Sequence, residues 1–176
     1  DHEKFVLAIA QVMAQEAFEL EAAGARYLQI DEPALLGAPE DHALAGRAIE
    51  SITSALESSE TETTLATYFG DAKRLGPELF ELPVDYFGFD FVSGPENLEV
   101  IKAIPDGAGV QAGVVDARNT RLEDTDGLVA TIGGLAEALG SDRLRVSPSA
   151  GLEFLPREKA RAKLAHLSEA AKKAGA

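Results

Sequence analysis

Apolar residues recur at Phe5, Ile9, Val12, Met13 and Leu20, close to the spacing of one helix face. They predict a helix from Lys4 to about Ala23, with Gly24 as its stop. The period then changes. Tyr27-Leu28-Gln29-Ile30 runs into Asp31-Glu32-Pro33, the pattern of a short buried strand ended by polar residues and a proline. The alternation then repeats. A helix over Asp41 to Leu56 precedes a strand over Thr63 to Phe69, closed by Gly70, and a helix near Ala72 to Phe80 precedes a strand over Tyr86 to Val92. A short helix from Pro95 to Ile104 leads to the strand Gly109 to Val115, and Pro95 suits a first helical turn. A helix from Thr125 to Leu139, stopped by Gly140, leads to the strand Arg143 to Ser147, and the last helix covers Arg157 to Lys173.

Strands separated by helices predict βαβ crossovers and a parallel sheet of five strands. Two α/β architectures fit, an open doubly wound sheet and part of a (β/α)8 TIM barrel. A whole barrel takes about 250 residues, and this chain has 176. The chain starts inside a helix, where a β/α domain usually starts with a strand. The expectation is therefore one domain, 1–176, forming the C-terminal portion of a barrel whose front units lie elsewhere.

Composition narrows the function classes. The chain is 45% hydrophobic and 26% charged, as in ordinary globular proteins, and has no apolar run of membrane-span length. No membrane partner and a cytoplasmic location are expected. A net charge of −14 argues against nucleic acid, whose phosphates need a basic face. There is no cysteine, which removes disulfides, thiolate catalysis and cysteine-ligated metal. The sequence also lacks a dinucleotide fingerprint, a phosphate loop and a Gly-x-Ser-x-Gly elbow.

Parallel β/α folds place ligands at the carboxyl ends of their strands. The predicted ends bring together Asp31 and Glu32, then Tyr68, Phe69 and Asp71, then Asp90 and Ser93, then Asp116, Arg118 and Asn119, then Ser147 and Ser149. Strand alternation turns one of Asp31 and Glu32 inward, where a carboxylate can accept from an ammonium group or act as acid or base. A helix cap or an arginine pair is the structural alternative. Asp116 and Arg118 pair with each other, or Arg118 is free to hold a carboxylate or phosphate with its planar fork. Ser147-Pro148-Ser149-Ala150-Gly151 reads as a small-residue turn, either a close approach for a ligand or a plain strand-to-helix loop. His2, His42 and His166 fall at no strand end and have no metal-site spacing, so no metal ligand is assigned.

Ala23 to Leu35, with Ile30-Asp31-Glu32-Pro33 at its centre, resembles a motif of the cobalamin-independent methionine synthase family. Thr67-Tyr68-Phe69-Gly70-Asp71, Ala112 to Asn119, and Arg145-Val146-Ser147-Pro148-Ser149 extend the resemblance in order over nearly the whole chain. The resemblance implies a methyltransferase built from two TIM barrels, moving a methyl group from methyltetrahydrofolate to homocysteine in methionine biosynthesis. It is stronger to the N-terminal, folate-side barrel than to the catalytic one. The catalytic barrel's zinc ligands would include a His-x-Cys on the strand matching Thr64 to Phe69 and a cysteine near Ala150. Neither stands here, so no cofactor is assigned. Asp31 matches an aspartate that in the catalytic barrel meets the homocysteine amine.

Three functions follow as expectations. The first is a folate-side or accessory barrel that binds a folate or homocysteine-like molecule and works with the missing barrel half or a catalytic methionine synthase chain. The second is a methyltransferase with another thiol acceptor or metal arrangement. The third is a non-catalytic binding or scaffold barrel.

Overall fold

A computed structural model describes residues 1–56 and 60–175. The chain runs α1 (His2–Ala22), β1 (Tyr27–Asp31), α2 (His42–Thr53), β2 (Glu62–Ala66), β3 (Tyr86–Asp90), α3 (Asn97–Val100), β4 (Gly109–Val115), α4 (Thr125–Leu139), β5 (Leu144–Pro148) and α5 (Arg157–Ala174). The five strands are parallel and lie in sequential order, β1-β2-β3-β4-β5. A doubly wound sheet reverses direction at a switch point, whereas a barrel wall does not.

Curvature supplies the second argument for a barrel wall. In a flat sheet, β1 and β4 would stand about 14 Å apart, three strand spacings of about 4.8 Å. Yet Gln111 on β4 hydrogen-bonds Gln29 on β1 at 2.9 Å, and Arg145 on β5 is ion-paired to Glu62 on β2. The sheet is curled, with Gln29, Glu62, Gln111 and Arg145 on its concave side. This is an α/β fold, a wall of five parallel strands from a (β/α)8 barrel.

The convex side carries the core. Ile30, Leu65, Phe87, Phe89, Val110, Ala112 and Leu144 alternate with the concave residues and pack under the helices, joined by Leu128, Ile132, Leu135 and Leu167. The amino end of the concave side is closed. The Arg145 guanidinium lies 3.6 Å from the Tyr86 ring centroid and 5.0 Å from that of Tyr27, and it pairs with Glu62. Gly109 makes room for this arrangement, since a Cβ there would sit 2.2 Å from Tyr86 Cε1.

Two predicted helices are shorter than expected. The 72–80 segment forms two 3-10 turns, Ala72–Leu75 and Pro77–Glu81. They break at Gly76, whose φ of 69° leaves the helical region, and at Pro77, which has no N–H to donate. The 95–104 segment keeps one α-turn, α3, continued by the 3-10 turn Ile101–Ala103. Strands β2 and β3 also end early, at Ala66 and Asp90 rather than Phe69 and Val92. Arg143 lies before β5, in the turn Ser141–Arg143, with its guanidinium donating to the Ala108 and Pro105 carbonyls. No helix among the described residues is long and apolar enough to cross a membrane.

Candidate ligand site at the carboxyl ends of the strands

Asp31 ends β1 on the concave side, and its environment is polarised in one direction. Gln111 Nε2 donates to Gln29 Oε1 at 2.9 Å, and Gln29 Nε2 donates to Asp31 Oδ1 at 2.6 Å. An ionised carboxylate only accepts, so Asp31 fixes which way both amides point. The Tyr68 phenol stands beside it. Its pKa is raised, first by burial, then by the charges of Asp31 and Glu153, by hydrogen bonding to Asp31 and by Glu32. The phenol therefore stays protonated as a donor near neutral pH. Glu32 follows at the end of β1 and is half-buried. Burial raises its pKa, and the Ala34 amide opposes that rise.

The loop after β2 turns on Phe69. Its φ is 74°, the one positive value among the described non-glycine residues. The Phe69 N–H donates to Asp90 Oδ2 at 3.1 Å, while Asp90 Oδ1 accepts the Val92 and Ser93 amides at 2.9 and 2.8 Å. Asp90 is 0% exposed. Its carboxylate is committed to backbone and holds two loops in place, without facing a ligand. Asn97, also 0% exposed, completes the lock: its Oδ1 accepts the Ala72 amide, and its Nδ2 donates to the Gly70 and Asp90 carbonyls. Asp71 is half-buried, and its buried Oδ1 has no protein donor.

The loop after β4 is organised by Asp116. Its Oδ1 accepts the Arg118 amide at 2.7 Å and its Oδ2 accepts from Asn119 Nδ2. Asp116 and Arg118 thus meet through the backbone N–H, and no ion pair forms between them. The Arg118 guanidinium is exposed and lies 4.9 Å from the Phe69 ring centroid. Asn119 Oδ1 caps the turn by accepting the Arg121 amide. Ser149 is buried, its Oγ accepting the Ala117 amide at 3.1 Å, and Ser147 Oγ donates to the Pro148 carbonyl. Behind the loop, fully buried Lys163 donates to Glu123 Oε1 at 2.8 Å, and that oxygen also accepts the Asp116 amide. The His166 ring Nε2 contacts the Glu123 carbonyl at 3.0 Å.

Of the sequence candidates, Asp31, Tyr68 and Arg118 expose functional groups on one rim, and Asp71 keeps one buried oxygen without a donor among the described residues. Asp90, Asp116, Asn119 and Ser149 are tied to backbone and shape the loops. A concave cavity of about 320 Å³ runs below the rim, lined by Gln29, Tyr68, Gln111, Ser147, Ser149 and Leu152 among others. Asp31 and Glu32 border a second, largely apolar cavity of about 360 Å³ between β1 and the α1 and α2 helices. Sequence reasoning did not single out Gln29 and Gln111 as a pair. Their signal was an amide in otherwise apolar parallel strands, which normally read as continuous hydrophobic runs. Asn97, Glu123 and Lys163 carried no such signal.

Zinc does not fit this donor set. The chain has no cysteine, β2 offers Thr63-Thr64-Leu65-Ala66 where a His-x-Cys would be needed, and Asp90 and Asp116 are saturated by amide donors. Among the described residues no three His, Asp or Glu side chains gather as a metal site.

Known proteins bear directly on this arrangement. The family profile "Cobalamin-independent synthase, N-terminal domain" matches residues 1–140. A 5-methyltetrahydropteroyltriglutamate–homocysteine methyltransferase of Salinibacter ruber is 34% identical over 149 residues, covering 82% of this chain and 19% of that protein. A methionine synthase of Methanothermobacter thermautotrophicus is 34% identical over 170 residues, covering 96% of this chain and 54% of that protein. The chain therefore spans about half of the archaeal relative and a fifth of the bacterial one. A B12-independent methionine synthase from Shewanella sp., solved with selenomethionine, superimposes with a TM-score of 0.86 at 22% identity, over 98% of this chain and 55% of that one.

Proposed function

Because this chain belongs to the cobalamin-independent synthase family, through its N-terminal domain, we propose that it is a folate-side or accessory barrel. In this reading it supports methyl transfer from a methyltetrahydrofolate to homocysteine, and thiol activation belongs to a separate zinc-bearing barrel. The chain is one portion of a longer barrel. The apolar face of α1 supports that part of the proposal, with Phe5, Ile9 and Val12 at 67%, 46% and 66% exposure and ready to meet further β/α units.

The observation that carries the reading is the rim itself. Asp31 is a carboxylate held by Gln29, whose neighbour Tyr68 lines the concave cavity, and Arg118 is a cation with no carboxylate partner among the described residues, a short way round the same rim. Such a rim suits a small molecule with a donor or ammonium group and an acidic group. Both homocysteine and a folate carry these. The rim residues bind and orient, since none of them is arranged as a nucleophile with its base.

The test adds the intact protein to a zinc-bearing methionine synthase barrel and follows methionine formation from homocysteine and methyltetrahydrofolate. Stimulation that Asp31→Ala abolishes is expected. Absence of stimulation, together with absence of binding to either substrate, contradicts the proposal.

A further inference from the structure

Phe69 combines features that a loop residue has no structural need for. It is aromatic, yet it occupies a left-handed backbone conformation that costs a bulky residue about 1–3 kcal/mol. It is 52% exposed, so burial of the ring does not offset that strain. The strain is enforced by the fully buried Asp90 carboxylate, which draws in the Phe69 N–H while holding Val92 and Ser93. The result is a ring set at the rim with a neighbour on each side. Tyr68 meets it edge to face at 4.7 Å between centroids, and the Arg118 guanidinium lies over it at 4.9 Å. Arg118 has no carboxylate partner among the described residues of a chain with net charge −14. A cation held on an aromatic face keeps its N–H fork free, and such a fork recognises a carboxylate through two parallel bonds.

We infer that Phe69 is a positioning residue and specificity determinant. Its strained backbone seats the Arg118 guanidinium over the carboxyl-end rim, and the pair takes a carboxylate of the bound ligand. This rests on the rim being the ligand site, as proposed above. The carboxylate has two sources, the amino-acid carboxylate of homocysteine and the glutamate carboxylates of a folate. The site needs only the shared chemistry.

The experiment measures binding to the intact protein by titration calorimetry in two arms. One arm compares L-homocysteine with 3-aminopropanethiol, which lacks only the carboxylate. The other compares 5-methyltetrahydrofolate with its diamide. The wild type is expected to prefer the carboxylate form by about tenfold or more in at least one arm, which identifies the source. Phe69→Ala and Phe69→Gly are expected to cut that preference below about threefold while the carboxylate-free analogue binds as before. Phe69→Gly relieves the backbone strain, so its loss of preference cannot come from misfolding. Phe69→Tyr should retain the preference, and Arg118→Lys should lose most of it because an ammonium lacks the fork. A wild-type preference that survives both Phe69→Ala and Phe69→Gly overturns the role of Phe69 and leaves the rim reading standing. So does binding without any preference. If none of the four probes binds, the rim reading falls and this inference falls with it.

Discussion

At the amino end of the concave face, a guanidinium, a carboxylate and two phenol rings satisfy one another. Arg145 lies between Tyr27 and Tyr86 and pairs with Glu62. At the carboxyl end the same chemical types stand apart. Among the described residues Arg118 rests on Phe69 without a carboxylate, Asp31 accepts from the Gln29 amide, and the buried Asp71 Oδ1 has no donor. Paired charge at one end holds the curled wall together across non-neighbouring strands. In the proposed function, open charge at the other end takes a ligand. The two ends therefore respond differently to substitution, in stability at one and in binding at the other.

The largest stability effect belongs to the amino end. Arg145→Ala removes the cation that joins β5 to three other strands and leaves Glu62 without its partner, at a cost of about 2–3 kcal/mol. The figure stays below that of a fully buried pair because the Arg145 side chain is still 30% exposed. Chemical denaturation reads the loss, and ligand affinity in the folded fraction should be unchanged. An affinity loss matching that of the rim variants would erase the distinction between the ends.

Asp90→Asn lies between the two regimes. It keeps the shape and the acceptor for Val92 and Ser93, but turns an NH2 toward the Phe69 N–H. A stability loss of about 1–2 kcal/mol is expected, together with loss of the Arg118 seat. Guanidinium NMR signals of Arg118 should move toward free-arginine positions. Unmoved signals would show that Asp90 does not govern the platform.

Asp31→Asn is a binding variant. Affinity for an ammonium-bearing ligand should fall about tenfold, equivalent to about 1.4 kcal/mol, with the melting temperature nearly unchanged. Calorimetry with L-homocysteine measures the first quantity and thermal unfolding the second.

The smallest effect is at Glu32. Burial raises its pKa above 4.5, so the folded state favours the protonated form. That contribution to stability is complete below pH 4.5 and is lost as pH rises through the raised value. Glu32→Gln should therefore stabilise the protein at pH 7 by a few tenths of a kcal/mol at most, once solvent screening is counted. The difference should vanish in denaturation curves recorded below pH 4.5.

The wall itself was legible in the sequence because parallel strands under helices must be apolar, and five such runs ended in polar residues. The bounds of Gly109–Val115 and α4 agree with the pattern, since β-branched runs and helix stops are local signals. The 72–80 segment was read as one helix because its spacing is helical, but Gly76 and Pro77 divide it. Residue type alone could not separate Asp90 from Asp31. Both end strands, and only the fold shows that one is buried among amides and the other is exposed beside Gln29. The positive φ of Phe69 had no sequence signal at all, since it is imposed from β3 by a residue 21 positions away.

The proposed rim site has ligands binding where the charges are open. It is tested most directly by mapping amide chemical-shift changes in the intact protein as L-homocysteine and 5-methyltetrahydrofolate are titrated in. Shifts concentrated at Asp31, Tyr68, Phe69, Arg118 and Ser147 are expected, with the amides of Tyr27, Glu62, Tyr86 and Arg145 unmoved. Saturable shifts centred on the amino-end group, or on the α1 and α2 helices with the rim unmoved, would contradict it.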